Sequence, residues 1–136
     1  MSARNEIENT FHRWSLAYDQ NDPDTMAACF TDDAVLTMRI ADGDLIGPFD
    51  GREAIMGLMR DSLASQTDQR RHVMTNIIIH REDASSAETE SYLTLIGVED
   101  GAIRLISSGR YQDTVVKSDD GVWRLARRHI ALDLGY

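Results

Sequence analysis

The sequence predicts an α+β fold with three helices packed on one face of a curved, mostly antiparallel sheet. Three observations predict it. Apolar residues in the first half recur at three- and four-residue spacing, the period of helices with one buried stripe. The second half consists of long β-branched runs separated by short Asp- and Gly-rich turns. The two kinds of segment are segregated along the chain, with most helices first and most strands after, and such segregation belongs to α+β architecture.

The elements follow in order. Ile7, Phe11, Trp14 and Tyr18 form one stripe on a helix from about Asn5 to Gln20. Asn21-Asp22-Pro23 interrupts it, and Asp22 can cap a second helix with Pro23 in its first turn. That helix is expected from Pro23 to Phe30, closed by Thr31-Asp32-Asp33 as a cap and turn. Ala34 to Ile40 reads as a strand, Ala41 to Asp44 as a hairpin turn, and Leu45 to Phe49 as a short return strand. Gly51 to Ser65 keeps the helical period through Ile55, Leu58 and Met59. Four strands are then expected at Arg71–Arg81, Ala87–Val98, Ala102–Lys117 and Val122–Leu134. Tight turns between them imply an antiparallel meander.

The 136 residues suit one domain, 1–136, and a chain of this length buries roughly two-thirds of its unfolded surface without staples. The net charge of −9 argues against nucleic acid or an anionic membrane as partner, because phosphate binding needs clustered Lys and Arg. Cys29 is the single cysteine, so no internal disulfide can form, and a cytoplasmic setting is the simplest expectation. No His- or Cys-rich tract offers a metal site. Residues 1–8 are polar and lack a signal-peptide core. No apolar run reaches the ~20 residues of a membrane helix.

A sheet curled around helices leaves a cavity at its open end, a natural small-molecule pocket. Strand alternation sorts side chains into faces. His72, Met74, Asn76 and Ile78 share one face of their strand. Leu125, Arg127, His129 and Ala131 share one face of the last strand, with Ala126, Arg128, Ile130 and Leu132 on the other. Alternation alone does not say which face is concave. Asp19 stands beside the apolar stripe of the first helix, where a carboxylate can reach the cavity. Histidine is suited to general acid–base work near neutral pH, and a neighbouring carboxylate would fix its tautomer. Residue types alone do not select the pair, since the chain has four His and many Asp.

A resemblance does select it. The run Glu6-Ile7 … Trp14 … Tyr18-Asp19-Gln20-Asn21-Asp22 … Phe30-Thr31-Asp32-Asp33-Ala34-Val35 resembles the opening of SnoaL-like proteins in the nuclear transport factor 2-like superfamily. Gly51-Arg52-Glu53-Ala54-Ile55, Arg71-His72-Val73-Met74-Thr75-Asn76, Gly109-Arg110-Tyr111 and Gly121-Val122-Trp123-Arg124-Leu125 continue the resemblance in order. It implies a cone-shaped α+β barrel. It is similar to the subgroup of scytalone dehydratase, bile-acid 7α-dehydratase and hexachlorocyclohexane dehydrochlorinase, in which a helix Asp and a strand His form the catalytic pair.

On that resemblance Asp19 and His72 are the candidate catalytic residues. His72 would remove a proton from carbon while Asp19 holds the imidazole, without metal or organic cofactor. Arg127 falls where the dehydrochlorinase has an Arg assisting the leaving group. Trp14 replaces a pocket Lys of that enzyme, a departure that points away from halide elimination. With His72 facing the cavity, alternation turns Asn76 toward substrate, and the same comparison turns Tyr92, Tyr111, Arg127 and His129 there, His129 as a pocket wall rather than a second base; Trp14, Tyr18 and Met38 complete the expected lining.

Two function classes follow. One is a cofactor-independent lyase or isomerase acting on a hydrophobic oxygenated small molecule such as a polyketide, steroid or terpenoid. The other is a non-catalytic ligand-binding protein or a dioxygenase β-subunit-like assembly protein. A homodimer or homotrimer is also expected, because Ile77, Ile79, Ile106 and Ile130 look too apolar for an outer face in water.

Overall fold

The structure is a computed structural model and describes residues 2–136. Helix α1 (Ala3–Asp19) starts at Ser2, whose side chain accepts the Asn5 N–H, and buries Ile7, Phe11, Trp14 and Tyr18. Each such side chain contributes about 1.5–3 kcal/mol when removed from water. Asn21 takes a left-handed φ of 55° and turns the chain into α2 (Pro23–Ala28), capped by Asp22 through the Thr25 N–H and hydroxyl.

Strand β1 (Phe30–Ile40) begins four residues before the expected Ala34. Thr31-Asp32-Asp33 are therefore strand residues and not a cap. Asp32 lies in water and reaches Arg52 at 2.7 Å. The remaining elements are β2 (Ile46–Asp50), α3 (Arg52–Ser65), β3 (Gln69–Glu82), β4 (Ser86–Glu99), β5 (Ala102–Lys117) and β6 (Trp123–Leu132).

One six-stranded sheet runs in the order β2-β1-β6-β5-β4-β3. The β1–β6 pairing is parallel and every other pairing is antiparallel. Helix α1 lies against β3 and β6, and α3 against β1 and β2, so all three helices are on one side of an open, curved sheet. Among the described residues, no helix is long and apolar enough to cross a membrane.

Three register shifts decide which side chains face the helices. In β3 the pairing jumps between Thr75 and Ile78, and Asn76 sits there with φ 56°. In β5 it jumps between the residues opposite Leu95 and Ile96, leaving Ile106 as the extra residue. In β6 it jumps between Leu125 and Arg127, leaving Ala126 extra. A bulge residue reverses the alternation beyond it. Ile77 and Ile79 consequently pack on the core while Ile78 is 54% exposed. Ile130 is buried and Ile106 half-buried against the core. The four isoleucines expected on the outer face therefore belong to the inner layer. The outer face of β3–β5 shows Val73, Tyr92, Ile103 and Leu105 instead.

Candidate functional site

The cleft between the helices and the concave face is narrow, about 40 Å³. Its walls are mainly apolar. Trp14 and Tyr18 come from successive turns of α1, Met38 from β1, and Met59 with Ser62 from α3. Leu93, Leu95, Tyr111, Ile130 and Leu132 come from the sheet. The polar groups are Arg70 and His72 on β3, Ser62, and the hydroxyls of Tyr18, Tyr111 and, in the C-terminal tail, Tyr136.

Asp19 is the last residue of α1 and grips His72 at two points. One carboxylate oxygen accepts the His72 backbone N–H at 2.9 Å, and the other lies 2.7 Å from ring Nδ1. Both side chains are buried, 8% and 7% exposed. A carboxylate at a helix C-terminus meets the negative end of the dipole, so this placement is locally unfavourable. The two hydrogen bonds offset it. A carboxylate can only accept, so Nδ1 carries a proton, and in the neutral ring the lone pair is on Nε2. The ring is held edge-on to Trp14, centroids 5.4 Å apart, and against Tyr18 at 4.5 Å. Tyr18 donates its hydroxyl to Gln66 at 2.8 Å, and burial, partly opposed by that bond, pushes its pKa up to about 12. It stays a neutral donor at physiological pH.

Behind the cleft lies a charged layer. Arg128 and Asp113 are fully buried and joined by two parallel hydrogen bonds, Nε–Oδ1 2.9 Å and Nη2–Oδ2 3.0 Å. Burial pushes the Asp113 carboxyl up, against the pull of Arg128. Desolvation drags the guanidinium down, but the charge and hydrogen bonds of Asp113 outweigh it and hold Arg128 above its ordinary value. The guanidinium carbon stands 3.8 Å over the Tyr111 ring and 5.0 Å from Trp14, so the pair supports two walls of the cleft. Nη1 of Arg128 has no partner, nor do the nearby buried hydroxyls of Thr89 and Ser91.

Among the residues expected to touch substrate, Trp14, Tyr18, Met38 and Tyr111 line the cleft. Four do not. Asn76 is exposed, because its bulge ends the inward phase that His72 and Met74 follow. Tyr92 neighbours Thr75 and Arg110 on the outer face and is 55% exposed. Arg127 and His129 line an outer groove, because the bulge at Ala126 turns Arg128 and Ile130 inward in their place. His129 Nδ1 is 2.7 Å from the Thr37 hydroxyl, and partial burial with Arg39 and Arg110 nearby holds its pKa down.

Sequence reasoning missed Arg70, Ser62, Met59, Tyr136 and the leucines of β4 as lining residues. It also missed Arg128 behind them. A buried acid on β5 was the available signal for Arg128, yet it misleads. Continuing the register from Lys117 opposite Trp123 would put Arg127 opposite Asp113, and only the bulge brings Arg128 there.

No curated protein matches the chain. Several solved structures do. A protein of unknown function with a cystatin-like fold from Nostoc punctiforme is 25% identical, with TM-score 0.81, and the match covers 98% of this chain and 94% of that one. A scytalone dehydratase candidate from Novosphingobium aromaticivorans is 25% identical, TM-score 0.78, covering 96% and 84%. A candidate β subunit of an aromatic-ring-hydroxylating dioxygenase from the same organism is 18% identical, TM-score 0.82, covering 98% and 91%, a likeness of fold alone. The family model for the SnoaL-like domain matches residues 1–129, nearly the whole chain. With its cone-like α+β architecture and helix-to-strand Asp–His contact, the chain belongs to the SnoaL-like domain family.

Proposed function

We propose that this protein is a cofactor-independent lyase or isomerase that removes a proton from an acidified carbon of a hydrophobic, oxygenated ring compound. The observation that carries the reading is the two-point grip of Asp19 on His72 at a largely apolar cleft. A base fixed through both its backbone and its ring loses little orientation entropy at the moment of reaction. In a dehydration, His72 Nε2 takes the proton from carbon. The C–H electron pair becomes the new C=C bond, and the β-hydroxyl leaves as water by accepting the proton that His72 returns. Asp19 stabilises the imidazolium formed between the two transfers.

Exchange of the α-protons of 2-tetralone in D₂O, followed by NMR, tests the base without knowledge of the natural substrate. Catalysed exchange above the buffer rate is expected. It should fall about 10²–10⁴-fold in His72→Ala, the range of a positioned general base, and by a similar order in Asp19→Asn, which presents the wrong tautomer. Exchange at the wild-type rate in both variants overturns the mechanism. Ligand binding without any exchange would leave a non-catalytic binding protein, a use this fold can also serve.

A further inference from the structure

Arg70 is a cleft residue that the proton-transfer chemistry does not use, and its pairing differs from that of Arg128 and Arg124. Arg128 spends both its Nε and an Nη on Asp113, and Arg124 likewise donates from two nitrogens to Asp120. Arg70 makes one side-chain bond to an acid, Nε to Asp68 Oδ1 at 2.8 Å. Its side chain is only 11% exposed, and that of Asp68 5%. Asp68 also draws Arg104 at 3.8 Å, so its charge is shared between two cations.

Asp68 lies over Gly97, where a Cβ would collide with its carboxylate and with the Ile106 side chain. The missing side chain lets the acid seat itself there and hold Arg70 by one edge. The other edge of the guanidinium, the Nη pair, is a ready-made fork for a carboxylate.

Arg70 and His72 are alternate residues of β3, on the same face and about 6.5–7 Å apart along the strand. Arg70 lines both the cleft and the surface depression beside Asp19 and Gln66, which places it at the rim. The cleft walls between are aromatic and aliphatic. We infer that Arg70, held by Asp68, is the specificity-determining residue of this cleft and selects substrates carrying a carboxylate on the end of the ring system remote from the reacting carbon. This rests on the proposed function for the reacting end but not for the binding end.

Binding of 2-naphthoate and of its neutral isostere 2-naphthamide, by calorimetry at pH 7.5, tests it. The wild type should prefer the carboxylate by about ten- to a hundredfold, the contribution of a charge-assisted hydrogen-bonded pair. Arg70→Gln should abolish the preference by weakening naphthoate while leaving naphthamide within about twofold. Gly97→Ala, which displaces Asp68 without touching a charge, should reduce the preference even if Arg70→Gln fails to fold. His72→Ala should keep the preference although exchange of 2-tetralone is lost, which separates failure of this inference from failure of the dyad. Equal binding of the two probes by the wild type, or an unchanged preference in folded Arg70→Gln, overturns it.

Discussion

At the scale of single residues, an acid–base contact and a fully buried ion pair have different energetics. Asp19 and His72 meet at the wall of a cleft, where on the proposed function the imidazole exchanges protons with a ligand. Asp113 and Arg128 are sealed, and their pairing supports the Tyr111 and Trp14 rings. Removing one member of a buried pair strands the other charge, at a cost of about 3–5 kcal/mol, whereas replacing both by apolar residues is often close to neutral. Arg128→Met should therefore lower the unfolding free energy in urea by about 3–5 kcal/mol at pH 7, and Asp113→Leu combined with Arg128→Met should recover most of it. The sign of the pH dependence follows from burial, which already pushes the Asp113 carboxyl up and is unopposed in the single variant. A carboxyl whose folded pKa exceeds its unfolded value, near 3.9, binds protons more tightly when folded. The deficit of Arg128→Met should thus shrink as pH falls from neutral toward 4 and grow as it rises again. A deficit independent of pH would place its origin in lost packing.

At the scale of elements, periodicity was enough to read three helices, a mostly antiparallel sheet and nearly every strand. What it could not carry was phase beyond a bulge. Alternation from His72 puts Asn76 in the cleft and the resemblance puts Arg127 there, and one extra residue in each strand turns both outward. The signals were unequal. Ala126 has nothing in its chemistry to mark a bulge. Asn76 has a side chain that tolerates the left-handed region, which it occupies at φ 56°, and an Asn inside a Val- and Ile-rich strand could have been read that way. The Asp–His pair was legible only through resemblance along the chain, since its partners are separated by 53 residues and no local pattern joins them. The bulge makes its own prediction. Asn76→Val forces a β-branched residue into positive φ and should destabilise by about 1–3 kcal/mol in urea. Asn76→Gly should stay close to the wild type because glycine adopts that conformation freely. Equal losses in the two would mean that the Asn side chain, and not its backbone, matters there.

At the scale of the whole molecule, the helices cover one side of the sheet and leave the other bare. The bare side is not uniformly polar. Ile103 and Leu105 are 76% and 72% exposed, beside Val98 and Ile96 of the neighbouring strand, and Val73 and Tyr92 extend the same face. Contiguous apolar surface of this kind marks an association site more often than a solvated face. The free edge at β3 is poorly suited to strand addition, because its bulge interrupts the ladder. Association is therefore expected through the face, as a homodimer or homotrimer whose copies bring the same residues together. Light scattering at micromolar concentration should give two or three times the 15.3 kDa chain mass. Leu105→Glu with Ile103→Glu should return it to one. Those two side chains stand in water in the single chain, so the double variant should keep its fold and its exchange of 2-tetralone. A wild-type mass of one chain would show that the bare face has no use in self-association. A variant that stays oligomeric would move the contact to the outer groove around Arg127 and His129.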